Sequence, residues 1–218
     1  MQNNSIGCRL VAALKATTGK SGVSLIIPVG SPPSAFLRPV ATQKEFINLN
    51  DVHYLTSWRN HFVKAFLTEF QATESRTTQW LVETVGPNSG KILFMVDDLN
   101  NSTFGYMGLD YIDWNTRYGE ADAIVRGGDA APGAMKLALR TLLFWAQGQL
   151  GLQKLGVRVR SDNTAIEFYQ KVGFREVKRV PLRRVEDPGI IRWVEDSSIK
   201  DDKLSLVYMS WTERNQHP

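Results

Sequence analysis

Apolar residues are spaced in two distinct ways along this chain, and the change from one to the other marks out most of the fold. KILFMVDD and TFGYMGLDYID are two apolar-rich runs of strand character, with the polar tetrad LNNS between them as a hairpin turn. NTRYG turns the chain again into EADAIV, so three antiparallel strands are expected in succession. After AIVRGG the period becomes helical. Beyond Gly133, residues Met135, Leu139, Leu142, Ala146 and Leu150 recur at the spacing of one helix face, and Gly151 stops the run. KLGVRVR returns to strand alternation. TAIEFYQKV is a second helix, ended by Gly173, where a residue without Cβ can take the left-handed C′ conformation. FREVKRVPLRR and KLSLVYMSW are two further strands, separated by a charged loop.

The first half is less regular. FLRPV reads as a short strand, and about 44–85 as a mostly helical region carrying Trp58, Phe62, Phe66 and Trp80, closed by the turn GPNSG. Before Ala35, CRLVAALKA suits a short amphipathic helix and SLIIPV a strand, and Pro32 and Pro33 break the chain after them. The expected organisation is an N-terminal extension, 1–34, followed by one domain, 35–218. The strand–helix–strand unit around 121–160 implies a crossover in a mixed sheet, and hence an α/β or α+β domain with helices on both faces.

Composition narrows the class. Hydrophobic residues make up 43% and charged residues 22%, ordinary for a folded soluble domain of 218 residues. The single cysteine, Cys8, excludes an internal disulfide framework and suits a reducing compartment. No apolar run is long enough to span a bilayer, and MQNNS has no basic start or apolar run. The expectation is a cytoplasmic protein without a membrane partner. A net charge of +4 is too weak to call for nucleic acid and suits an anionic ligand or a weakly acidic partner. TGKSG at Thr18–Gly22 lacks the first P-loop glycine, Leu14 standing in its place. His53, His61 and His217 are too few and scattered for a hydrolase triad or a metal site, so no metal is expected.

The most specific segment is SDNTAIEFYQKVGF, Ser161–Phe174. Asn163, Ile166, Tyr169, Gly173 and Phe174 resemble in spacing the last motif of the GCN5-related N-acetyltransferase (GNAT) superfamily, with Ala165 one place early. The resemblance covers about 36–211. It implies a mixed, mostly antiparallel sheet of six to seven strands flanked by helices, two strands splaying apart to admit acetyl-CoA as cosubstrate.

Residue roles follow from the resemblance. Asn163 begins a helix and can cap it or bond the coenzyme. Tyr169 would be the general acid toward the departing thiolate, which a phenol can protonate over a hydrogen bond. VRGGDAAPGAM matches the family's pyrophosphate loop, its three marked positions falling on Gly128, Ala131 and Gly133. There a glycine stands for the usual Arg or Gln and an alanine for the first glycine, and Arg126 can supply the missing cation. Together with Ala134, these residues lead into a helix N-terminus, which favours negative charge.

Glu120 is the expected base, with Asp122 the alternative. By the two-residue period Glu120, Asp122 and Ile124 share one strand face. A backbone N–H of Ile124 or Val125 would meet the developing oxyanion. The WRN of TSWRNH (Trp58, Arg59, Asn60) resembles an element of the branch that acetylates ribosomal-protein N-termini and amino sugars. It marks Trp58 and Arg59 as acceptor-binding, and the charged loop Arg183–Asp196 adds Trp193. The expected activity is acetyl transfer to a primary amine on a small molecule, such as a nucleotide-linked amino sugar, by direct attack in a ternary complex. A protein N-terminal amine as acceptor and a non-catalytic acyl-CoA-binding domain are the alternatives, and a homodimer is compatible with either.

Overall fold

A computed structural model describes residues 5–20, 25–200 and 203–212. Helix α1 (Ile6–Thr17) and strand β1 (Ile27–Val29) precede β2 (Ala35–Pro39), α2 (Leu49–His61), β3 (Thr68–Phe70) and α3 (Glu74–Trp80), the last continuing into a wider turn at Leu81–Val85. Then come β4 (Ile92–Asp98), β5 (Thr103–Asp113), β6 (Tyr118–Arg126), α4 (Ala134–Gly148), β7 (Lys154–Arg160), α5 (Ala165–Val172), β8 (Phe174–Asp187), β9 (Ile190–Glu195) and β10 (Ser205–Trp211). The strands lie in the order β1-β2-β4-β5-β6-β7-β10-β8-β9-β3. Every pair is antiparallel except β6–β7, the two strands joined by the α4 crossover.

The sheet thus has ten strands rather than six or seven. Two of the additional strands come from places read otherwise in the sequence. The charged loop Arg183–Asp196 is a hairpin: Pro188 and Gly189 (φ 77°) form the turn, and β8 and β9 pair from Leu182↔Glu195 to Asp187↔Ile190. Its charges are interspersed with Val185, Ile190, Ile191, Trp193 and Val194, without the strict alternation that would mark a strand in the sequence. β3 interrupts the region expected to be mostly helical and extends that hairpin, with Thr68↔Arg192 to Phe70↔Ile190 in register. Three residues inside a helical stretch give too little pattern to be recognised alone.

Two hydrophobic clusters sandwich the sheet. One carries α1, α4 and α5, with Leu139, Leu142, Phe94, Met107 and Phe174 fully buried. The other lies under α2 and α3, with Val52, Leu55, Leu81, Leu93 and Tyr106. The N-terminal segment takes part in the first. Val11 and Leu14 are core residues, and β1 pairs with β2. The buried ammonium of Lys15 donates to the carbonyls of Val85 and Asn88, both at 2.6 Å, occupying acceptors at the end of the turn that follows α3.

Candidate active site

β6 and β7 run side by side for only three residues, Tyr118–Glu120 against Lys154–Gly156, and then separate. The branch point is pinned. Glu120, buried, accepts from Tyr118 Oη at 2.7 Å on its own strand and from Arg158 Nε at 2.6 Å across the gap. Beyond it β6 is kinked. Gly108 pairs with Asp122 and Tyr106 with Val125, leaving Ala123 and Ile124 with no residue in register on either neighbouring strand. Ala123 sits at φ 52°, the conformation of a bulge.

This kink corrects the simple alternation expected for the strand. Ile124 packs against the α4 side, while Ala123 and Val125 join the cluster under α2 and α3. The extra residue reverses the phase of everything after it.

The divergence opens a cleft of about 1260 Å³. Asp122–Arg126 line it from β6 and Val157–Arg160 from β7; Asn163 and Tyr169 come from the α5 side. Tyr169 is 7% exposed, and its hydroxyl has no hydrogen-bond partner among the described residues. Burial, and then the charge of Asp122, raise its pKa well above the ordinary phenol value, so it stays protonated. Asn163 stands two residues before α5. Its Oδ1 accepts from Ala165 N at 2.9 Å at the head of α5, and its Nδ2 donates to Ala65 O at 3.3 Å.

Of the two carboxylates considered as base, only Asp122 lines the cleft. Glu120 does not; both its oxygens are committed to the branch point. Asp122 accepts from Lys91 Nζ at 2.8 Å, and Lys91 also donates to Asp110 at 2.5 Å. Burial pulls Lys91 down, but these two carboxylates outweigh it and hold it charged. Nothing in the sequence pattern singled out Lys91 or Tyr106, the second phenol of the lining.

At the other end of the cleft the loop from Arg126 leads to α4. The amides of Gly127 and Gly128 both donate to Phe104 O, at 3.1 and 3.0 Å, so Gly128 shapes the turn and has no N–H to offer a ligand. Gly133 (φ 84°) precedes α4 without a side-chain cap, and Ala134 N bonds to Ala131 O. The next two amides, of Met135 and Lys136, have no backbone acceptor among the described residues. Arg126 is exposed and, among the described residues, meets no carboxylate.

The WRN tripeptide organises the opposite wall. Trp58 stacks on Tyr54 (4.8 Å between centroids) and Tyr106 (6.1 Å), and Gly127 lies flat against its ring. A Cβ on Gly127 would stand 1.9 Å from Trp58 Cδ2. Trp58 therefore supports the wall from behind and does not line the cleft. Asn60 exchanges two hydrogen bonds with the backbone of Ala72, at 3.0 and 2.8 Å. Arg59 faces the cleft. Its Nη2 donates to Thr68 O at 2.9 Å, and its guanidinium lies 4.0 Å from the Phe70 ring centre and 4.8 Å from that of Phe66.

Trp193 is likewise a wall support. Its Nε1 donates to Glu69 at 2.7 Å, and Arg160 lies over its ring while bonding Glu69 at 2.9 Å and Asp162 at 2.7 Å. Burial pushes Glu69 up, but the bonds from Trp193 and Arg160 outweigh it and hold the carboxyl below its usual range. β3, β7 and β9 are thereby clamped together over the cleft.

The family model of the acetyltransferase (GNAT) domain matches residues 36–175. The chain belongs to the GNAT acetyltransferase family. No curated protein sequence matches it significantly. Among solved structures, a chimera of the spermidine N-acetyltransferase SpeG from Vibrio cholerae and hSSAT superposes with a TM-score of 0.61 at 16% identity, over 82% of this chain and 95% of that one. Apo FdhC, described as a nucleotide-linked sugar GNAT, superposes with a TM-score of 0.60 at 13% identity, covering 87% and 90%. A dodecameric spermidine N-acetyltransferase from Vibrio cholerae gives 0.57 at 17% identity, covering 81% and 92%. At these identities the likeness establishes the fold alone. Among the described residues, no helix is long and apolar enough to cross a membrane.

Proposed function

We propose that this GNAT protein transfers an acetyl group from acetyl-CoA to a primary amine on a small molecule, the two substrates meeting in the cleft between β6 and β7. The observation that carries the reading is the splay itself. Two strands part after three paired residues, and the kinked stretch of β6 at Ala123 and Ile124 has no residue in register on either neighbour, beside a protonated phenol with no partner among the described residues.

The coenzyme supplies an activated acetyl group; the rest is the work of this chain. The free amides of Met135 and Lys136 at the head of α4, together with Arg126, suit a pyrophosphate. A backbone N–H of the kinked stretch, that of Ile124 or Val125, would donate to a carbonyl oxygen as negative charge grows on it. Asp122, kept in place by Lys91, accepts the amine's proton directly or through water, a role its position favours over that of Glu120. Tyr169 donates its proton to the departing sulfur.

The test is titration with coenzyme A and acetyl-CoA, followed by free-thiol release with nucleotide amino sugars, aminoglycosides and peptide amines. Binding with thiol release is the expected result. Binding without release from any amine leaves the acyl-CoA-binding reading, and no binding ends the proposal.

A further inference from the structure

Seven cationic side chains line the cleft, against two carboxylates, Glu83 and Asp122. Four of the cations are neutralised where they stand: Lys91 by Asp110 and Asp122, Arg158 by Glu120, Arg160 by Glu69 and Asp162, Arg192 by Asp187. Arg59, Arg76 and Arg126 meet no carboxylate among the described residues. Arg126 belongs to the α4 end. Arg59 and Arg76 stand on the opposite wall, built from α2, β3 and α3.

Arg59 is the more telling of the two. Phe66 and Phe70 lie against its guanidinium, Nη2 is used by Thr68 O, and Nη1 is buried without any hydrogen-bond acceptor. A half-buried guanidinium with one nitrogen shut off from water and only one carbonyl to donate to is under-satisfied, because its planar fork is built to hold two acceptors at once. Burial lowers its pKa, opposed by Tyr106, which measures the same deficit in another way. Such a group is stable in the cleft when a ligand brings the missing negative charge.

The carboxylates point the same way. Asp122 is bound to Lys91, and exposed Glu83 accepts from Gln79 at 2.8 Å. Nothing else on the lining offers negative charge to a polycation, although two of the superposed structures are spermidine enzymes.

We propose that the acceptor is an anionic amine, its phosphate or carboxylate held by Arg59 with Arg76 at the rim and its body against Phe62, Phe66 and Phe70. The identity of the reacting amine rests on the acetyltransferase reading above, whereas the anion site does not.

The experiment compares matched pairs by calorimetry in the presence of coenzyme A and by thiol release with acetyl-CoA. Glucosamine 6-phosphate is set against glucosamine, phenylalanine against phenethylamine, and spermidine serves as the polycation. The first pair reports a phosphate and the second a carboxylate. At least one anionic member should bind about 10- to 100-fold more tightly than its counterpart without the anionic group, the worth of a charge-assisted hydrogen bond. Arg59→Gln should erase that preference while the Kd of acetyl-CoA stays within about threefold. If Arg59→Gln fails to fold, Arg59→Lys, which keeps the charge but not the fork, should lose about tenfold on the anionic probe. A preference for spermidine, no affinity for either anionic amine, or a loss in Arg59→Gln that falls on acetyl-CoA instead would each overturn the inference. An Arg59-dependent preference without thiol release from these probes or from any amine of the panel above supports the anion site and sinks the acetyltransferase reading.

Discussion

Replacing Tyr169 with Phe removes one oxygen from a residue that is 7% exposed and leaves the ring in its place against Phe168 and Phe174. The hydroxyl makes no hydrogen bond to any described residue, so the folded state loses no partner there. The stability change should stay within about 1 kcal/mol, or about 2–4 °C in Tm for a chain of this size. Catalysis should respond very differently. A positioned acid typically contributes about 10²- to 10⁴-fold, or roughly 3–5 kcal/mol of barrier, so kcat should fall by that factor while the KM of acetyl-CoA moves less than about threefold. Because burial and Asp122 keep the phenol protonated well above neutral pH, Tyr169 should impose no alkaline fall in kcat below pH ~10 in the wild type. The assay is thiol release across pH 6–10, paired with thermal melts. A kcat within about threefold of wild type, with an unchanged melt, would refute the assignment of Tyr169 as acid.

Gly127→Ala should destabilise the fold by about 1–3 kcal/mol in urea melts, because a Cβ 1.9 Å from Trp58 must move about 2 Å to reach normal contact and the ring is held by Tyr54 and Tyr106; a loss below 0.5 kcal/mol would show that the wall yields. Glu120→Gln leaves the Arg158 guanidinium partly buried without its counter-charge and should cost about 3 kcal/mol, whereas Asp122→Asn should lower kcat by about 100-fold with less effect on the melt; the reverse ranking would return the base to Glu120. Burial, with smaller help from Lys91, lowers Lys15 to about 8, below the 10.5 of an unfolded lysine. Between those values the unfolded chain holds more protons, so stability should rise with pH from 8 to 10.5 relative to Lys15→Met, measured by urea melts; a falling difference would mean that its carbonyl partners outweigh its burial.

Local pattern sufficed wherever a segment's own period decided its structure. The meander from Ile92 to Arg126, helix α4 and the Asn163–Phe174 motif belong to this class, because side-chain period, turn residues and helix stops are properties of adjacent residues. Asn163 and Tyr169, which the motif singled out, both line the cleft. Other outcomes depended on contacts between residues far apart in sequence. The one-residue bulge at Ala123 has no local signature, yet it reverses the strand phase and so sends Ile124 to the α4 side and Val125 to the cluster under α2 and α3. Trp58 and Trp193 became wall supports because Gly127 and Glu69 come to meet them from elsewhere in the chain. Strand β3 exists because β9 offers it a free edge, and Arg59 is left with an unpaired nitrogen because no carboxylate folds back to it. A sequence specifies what each residue is able to do, but its partners are fixed only when the sheet is assembled.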